Sequence, residues 1–139
     1  MAEFSRNTKD EPSSRSVRAF APATVGNVIC GFDVFGLAME TPGEEVEVRH
    51  GSDPGVVITA IHGDEGRIPT ESDHNVASVA ARAVLMESGM GNIGLDIEIW
   101  KGLPLSGGMG GSAASSVAAA VATDTLLETG LTKEALLQC

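Results

Sequence analysis

The sequence predicts an α+β domain in which strands and helices are partly segregated, and three observations predict it. Short runs of alternating apolar and polar residues fill the first half of the chain. Helical spacing replaces them near residue 75. A glycine-rich segment then separates the last alternating run from an alanine-rich stretch.

The elements follow in chain order. "SVRAFAPAT" reads as a first strand entering a proline-containing turn. "GFDVFGLAME" reads as a second strand leaving a loop at Gly31, and "EEVEVRH" as a third, with Val46 and Val48 on one face. "GVVITAIH" is β-branched and apolar, a fourth strand behind turn material at 51–55. These four read as consecutive, mostly antiparallel strands. Val76, Val79, Ala80 and Ala83 share one helical face, with Asp73 as N-cap and Gly89 or Gly91 as stop. "GLDIEIW" alternates strictly, so Leu95, Ile97 and Ile99 form the buried side of a strand. A small-residue helix runs from about Ser112 to Glu128, ended by Gly130, and Thr132 caps a last helix with Glu134 in its first turn. Residues 1–15 are polar, lack an apolar signal core and read as a disordered leader before a domain spanning 16–139. The last helix stops at Cys139 without a capping glycine, so the domain reads as incomplete at its C-terminal end.

Charge narrows the function. Nineteen acidic and nine basic residues give the 139-residue chain a net charge of −10. That excludes nucleic acid and anionic membranes, which require a cationic footprint. A phosphate bound here must be met by backbone N–H groups, a metal ion or a few placed cations. Cys30 and Cys139 make neither a disulfide framework nor a zinc pattern and read as reduced thiols of a cytoplasmic protein. His50, His62 and His74 recur every twelve residues, but no acid or cysteine joins them at ligand spacing. Arg82 and Lys101 read as solvated surface cations.

"LPLSGGMGGSAASS", residues 103–116, holds four glycines in five positions. It lies between a strand and a helix N-terminus, where unpaired N–H groups and the helix dipole favour an anion. Ser112 brings a hydroxyl to the helix start, able to cap, touch a phosphate or bind magnesium. The loop has no lysine, which excludes the G-x-x-x-x-G-K-[ST] phosphate loop. Gly108, Gly110 and Ala113 satisfy the dinucleotide pattern G-x-G-x-x-A, although the strand comes late in the chain and Pro104 bends its exit. A glycine-rich turn entering a tightly packed helix is the bland alternative. The residues alone leave these readings open.

The same stretch resembles the phosphate-binding motif of the GHMP kinases, with Pro104, Gly108, Met109, Gly110, Ser112 and Ala113 matching. Gly111 departs, standing where that family usually has serine. "APATVGNVICGFDVFGLAME" resembles the N-terminal motif of the homoserine kinase branch of the family. "IPTESDHNVASVAARAV" resembles the segment in which an asparagine, here Asn75, opens a helix near the nucleotide. The three matches occur in order and cover most of residues 17–125.

The resemblance implies a ribosomal-S5-domain-2-like N-terminal domain, a mixed β-sheet packed with helices. In the family a ferredoxin-like C-terminal domain follows, in a chain roughly twice this long. That second part carries a magnesium-binding acid and arginines that clamp the substrate carboxylate. The implied reaction is ATP-dependent phosphorylation of the side-chain hydroxyl of L-homoserine, in threonine biosynthesis in the cytoplasm. Its implied cofactors are ATP and Mg²⁺. Asn75 and the run Pro104, Leu105, Ser106, Gly107, Gly108, Met109, Gly110, Gly111, Ser112, Ala113 and Ala114 would hold the nucleotide, with Ser112 as metal ligand. Asn27 and Asp33 would bind homoserine, and Asp33 is the catalytic candidate, accepting a hydrogen bond from the substrate ammonium or hydroxyl. The family is often homodimeric. Another GHMP small-molecule kinase, or a non-catalytic nucleotide-binding module on the same fold, is the alternative.

Overall fold

The computed structural model describes residues 15–26, 28 and 34–139. β1 (Ser16–Val25), β2 (Leu37–His50), β3 (Gly55–His62) and β4 (Gly94–Trp100) form one sheet. The helices among these residues are α1 (Val76–Glu87), α2 (Gly111–Leu127) and α3 (Lys133–Gln138). This is the expected mixed α+β domain. None of the helices is long and apolar enough to cross a membrane.

The sheet runs β1-β2-β4-β3, antiparallel at its first two pairings and parallel between β4 and β3. The expectation of consecutive antiparallel neighbours therefore fails after β2. α1 connects β3 to β4, and a helix-length crossover allows the parallel pairing that a short turn does not. The two strands expected at 31–40 and 44–50 are also one, because β2 runs unbroken for 14 residues. Gly43 permits this. A Cβ there would collide with the Phe20 ring and the Ala21 carbonyl on β1.

Alternation places Val46 and Val48 opposite Ile99 and Ile97 on the inner face, all buried. The outer face is a charged ladder. Arg18 bonds Glu45 and Glu47 and lies 3.8 Å above the Trp100 ring. Arg49 and His62 both reach Glu98.

α2 covers β1 and β2, and α1 packs on α2 and β3. Their contact surfaces are mainly alanine: Ala77, Ala80 and Ala81 on α1, and Ala118, Ala119, Ala120 and Ala122 on α2, all buried. This corrects the expected inner face of α1 in part: Ala80 is buried, but Val76 and Val79 are exposed, and Val84 and Leu85 turn inward beside the alanines. Asp73 is not the cap of α1. It pairs with Arg82 on the surface, and Asn75 caps instead, accepting the Ala77 N–H at 3.0 Å. Thr132 caps α3 through the Ala135 N–H, with Glu134 in the first turn as expected. Residues 1–14, most of the expected leader, lie outside the described residues, as do Asn27, Cys30 and Asp33.

Candidate functional site

The segment between β4 and α2 forms one side of a cavity of about 560 Å³. Ser106, Gly108 and Gly110 take positive φ values of 61°, 68° and 74°. The last is the N-cap of α2, and among the described residues no side chain bonds the first-turn N–H groups there, whereas Asn75 and Thr132 supply such bonds at α1 and α3. Those N–H groups belong to Gly111, Ser112 and Ala113, which line the cavity. α2 thus presents the positive end of its dipole and open donors to the cavity, an arrangement that suits an anion.

β1 backs the loop. The Thr24 N–H donates to the Met109 carbonyl at 3.0 Å, and a Cβ on Gly110 would collide with Thr24 Oγ1. Leu103, ahead of the glycine run, is buried in the core, and Met109, at the middle of the run, packs against that core.

Residues 67–69 and 74–76 line another side of the cavity, and Asp64 braces the first of these segments. Asp64 accepts the N–H groups of Ile68 at 3.0 Å and Gly66 at 3.2 Å. These bonds, that of Ile68 foremost, hold its carboxyl below the usual carboxylate range. Asn75 belongs to the second segment. Besides capping α1, it donates from Nδ2 to the Pro69 carbonyl at 2.9 Å, and it is only 2% exposed. Its polar atoms are thus committed to shaping the cavity.

Of the residues expected at the nucleotide, Asn75 and all of 104–113 line this one cavity. Ala114 does not, because it turns into the core. Ser112 is exposed and is the second residue of α2, so it lines the site without capping the helix. Among the described residues, the lining contains no carboxylate. Among the described residues no group of three or more His, Cys, Asp or Glu side chains is placed to hold a metal ion. Lys101 corrects the surface expectation. Its side chain is 5% exposed, lines the cavity, and contacts Glu44 Oε2 at 2.7 Å and Ser115 Oγ at 3.0 Å. Arg82 stays at the surface with Asp73.

Glu44, Lys101, Arg67 and His74 are the residues that sequence reasoning missed. For the first two the signal was present: Glu44 is in phase with Val46 and Val48, and Lys101 with Ile97 and Ile99. A strict alternation of buried positions extends to the charged residue at each end. Arg67 and His74 reach the cavity through loop geometry, which carried no such signal.

Known proteins share this fold and much of this sequence. Residues 75–139 match the model described as "GHMP kinases N terminal domain". This chain carries a GHMP kinase N-terminal domain. A homoserine kinase from Xylella fastidiosa is 44% identical over 125 residues, 90% of this chain and 38% of the relative. The crystal structure of a homoserine kinase from Cytophaga hutchinsonii superposes with a TM-score of 0.84 at 41% identity, over 99% of this chain and 42% of that one. The mevalonate kinase of Methanococcus jannaschii shares the fold at a TM-score of 0.66 and 15% identity. The chain thus spans about two fifths of the length of the relatives it matches.

Proposed function

We propose that this GHMP kinase domain forms the nucleotide half of a homoserine kinase, which transfers the γ-phosphoryl group of ATP to the side-chain hydroxyl of L-homoserine in threonine biosynthesis. The observation that carries the reading is the uncapped, glycine-led N-terminus of α2 opening into a cavity that also holds a buried lysine. Phosphoryl transfer depends mainly on positioning and charge neutralisation. In an acidic chain, the α2 amides and Lys101 supply that positive field locally.

These residues fit a nucleoside triphosphate. The N–H groups of Gly111, Ser112 and Ala113 would hold phosphate oxygens, and residues 67–69 and 74–76 would flank the rest of the nucleotide. For Mg²⁺ the cavity offers Ser112 as a neutral oxygen donor, and any acid ligand would come from beyond the described lining residues. When bound, the metal would neutralise charge on the transferring phosphate. Asn27 and Asp33 remain the proposed homoserine contacts. The substrate assignment rests on homoserine kinases at 41–44% identity. The acid and arginines that the reading requires would lie in the additional length that those relatives have.

The test is a coupled ADP-release assay on the full-length protein with homoserine, mevalonate and galactose. The reading predicts turnover with homoserine and none with the other two. Turnover with mevalonate or galactose instead would point to another branch of the family, and ATP binding without turnover to a non-catalytic module. Residues 1–139 alone are expected to give no homoserine-dependent ADP release.

A further inference from the structure

Glu44 is fully buried, the most enclosed acid among the described residues. A carboxylate there is tolerated only with a partner, and exchanging a buried ion pair for apolar residues often costs no stability. The strands make that exchange easy. Val46 faces Ile99 and Val48 faces Ile97, and the next inward pair in the same register is Glu44 opposite Lys101. Gly43 and Gly102 flank this pair, and a Cβ on Gly102 would collide with the Gly43 carbonyl, so two glycines bring the strands together where the charges meet.

The pair is not closed upon itself. Glu44 Oε2 receives Lys101 and Ser115, whereas Oε1 is buried without a hydrogen-bond partner among the described residues. Among the described residues the Lys101 ammonium has two partners for its three protons, Glu44 Oε2 and Ser115 Oγ. Both charged groups lie under the first residue of α2. A Cβ on Gly111 would stand 3.5 Å from Glu44 Oε1 and 3.8 Å from Lys101 Nζ. Of the two, Lys101 lines the cavity and Glu44 does not.

We propose that Glu44 is a positioning residue that fixes the Lys101 ammonium beneath the N-terminus of α2, so that its remaining proton points to a phosphate bound in the loop. This rests on the nucleotide reading above. The sign of the effect separates positioning from simple charge. A negative group beside an anion site opposes anion binding by Coulomb's law alone, so removing it should strengthen binding. If Glu44 works through Lys101, removing it weakens binding.

The experiment compares the affinities of the full-length protein for MgATP and for adenosine, which lacks phosphate. Glu44→Gln is expected to weaken MgATP about tenfold, the value of one charge-assisted hydrogen bond, and to leave adenosine unchanged. Glu44→Asp keeps the charge but withdraws it from Lys101, and is expected to shift MgATP in the same direction. It carries the test if the glutamine variant does not fold. MgATP affinity unchanged or increased in the variant, or both ligands weakened equally, overturns the proposal while the nucleotide reading stands. Failure of the wild-type protein to bind MgATP overturns both.

Discussion

Thr24 on β1 holds Met109 of the glycine loop by a backbone hydrogen bond of 3.0 Å, and its Oγ1 occupies the space that a side chain on the next residue would need. The first strand of the sheet thereby sets the position of the α2 N-terminus. Gly110 is required twice over, by its φ of 74° and by the closeness of Thr24, whereas Gly108 has a φ of 68° and open space around it. Gly108→Ala should therefore cost about 1 kcal/mol, the strain of a left-handed non-glycine residue. Gly110→Ala adds a steric clash and should cost a further 1–3 kcal/mol, roughly the value of overpacking. Urea unfolding of the two variants checks the order; equal losses would contradict it.

Asn75 joins the start of α1 to the cavity wall through bonds to Ala77 and Pro69. Asn75→Ala removes both and should cost about 1–2 kcal/mol. Asn75→Asp keeps an oxygen for the Ala77 N–H but sets a carboxylate against the Pro69 carbonyl. It should retain the helix in circular dichroism while weakening nucleotide binding. An aspartate variant that binds as tightly as the wild type would show that the Pro69 contact does not matter.

Much of this was legible from the sequence. Strict alternation located β4 and the buried side of β2, and the glycine run followed by alanines located the α2 N-terminus. Two features were hidden by the same physics. In α1, Val76 and Val79 did not mark the buried side, and the interior face is offset from them, carrying Ala77, Ala80, Ala81, Val84 and Leu85. Lys101 reads as a surface residue because isolated lysines usually are, and only its pairing across the sheet with Glu44 makes burial tolerable. The order β1-β2-β4-β3 is a long-range property that no local pattern records.

Asp64 makes the segment it braces sensitive to pH. Its native carboxyl titrates below the unfolded value of about 3.9, because the ionised form accepts the N–H groups of Ile68 and Gly66. A depressed pKa contributes stability that is present above the unfolded value and lost as pH falls through the native one. The Ile68 and Gly66 amide resonances should therefore shift together below about pH 4. Asp64→Ala should abolish that titration. Resonances that stay flat until the whole domain unfolds would contradict this account of the loop.

Ser112 is the exposed hydroxyl on the first turn of α2, without a capping duty that its loss would disturb. Ser112→Ala should leave stability within about 0.5 kcal/mol, as for a surface substitution. In the full-length protein it should lower turnover about tenfold or more, the scale of one missing charge-stabilising contact. Full activity in this variant would remove Ser112 from the metal site.

The central claim is that the α2 N-terminus and the glycine run before it hold the phosphates of ATP. Titrating the ¹⁵N-labelled full-length protein with MgATP tests it most directly. The account predicts that the amides of Gly108, Gly110, Gly111, Ser112 and Ala113 show the largest shifts and that adenosine leaves them unmoved. Shifts confined to other segments, or equal shifts with adenosine, would contradict it.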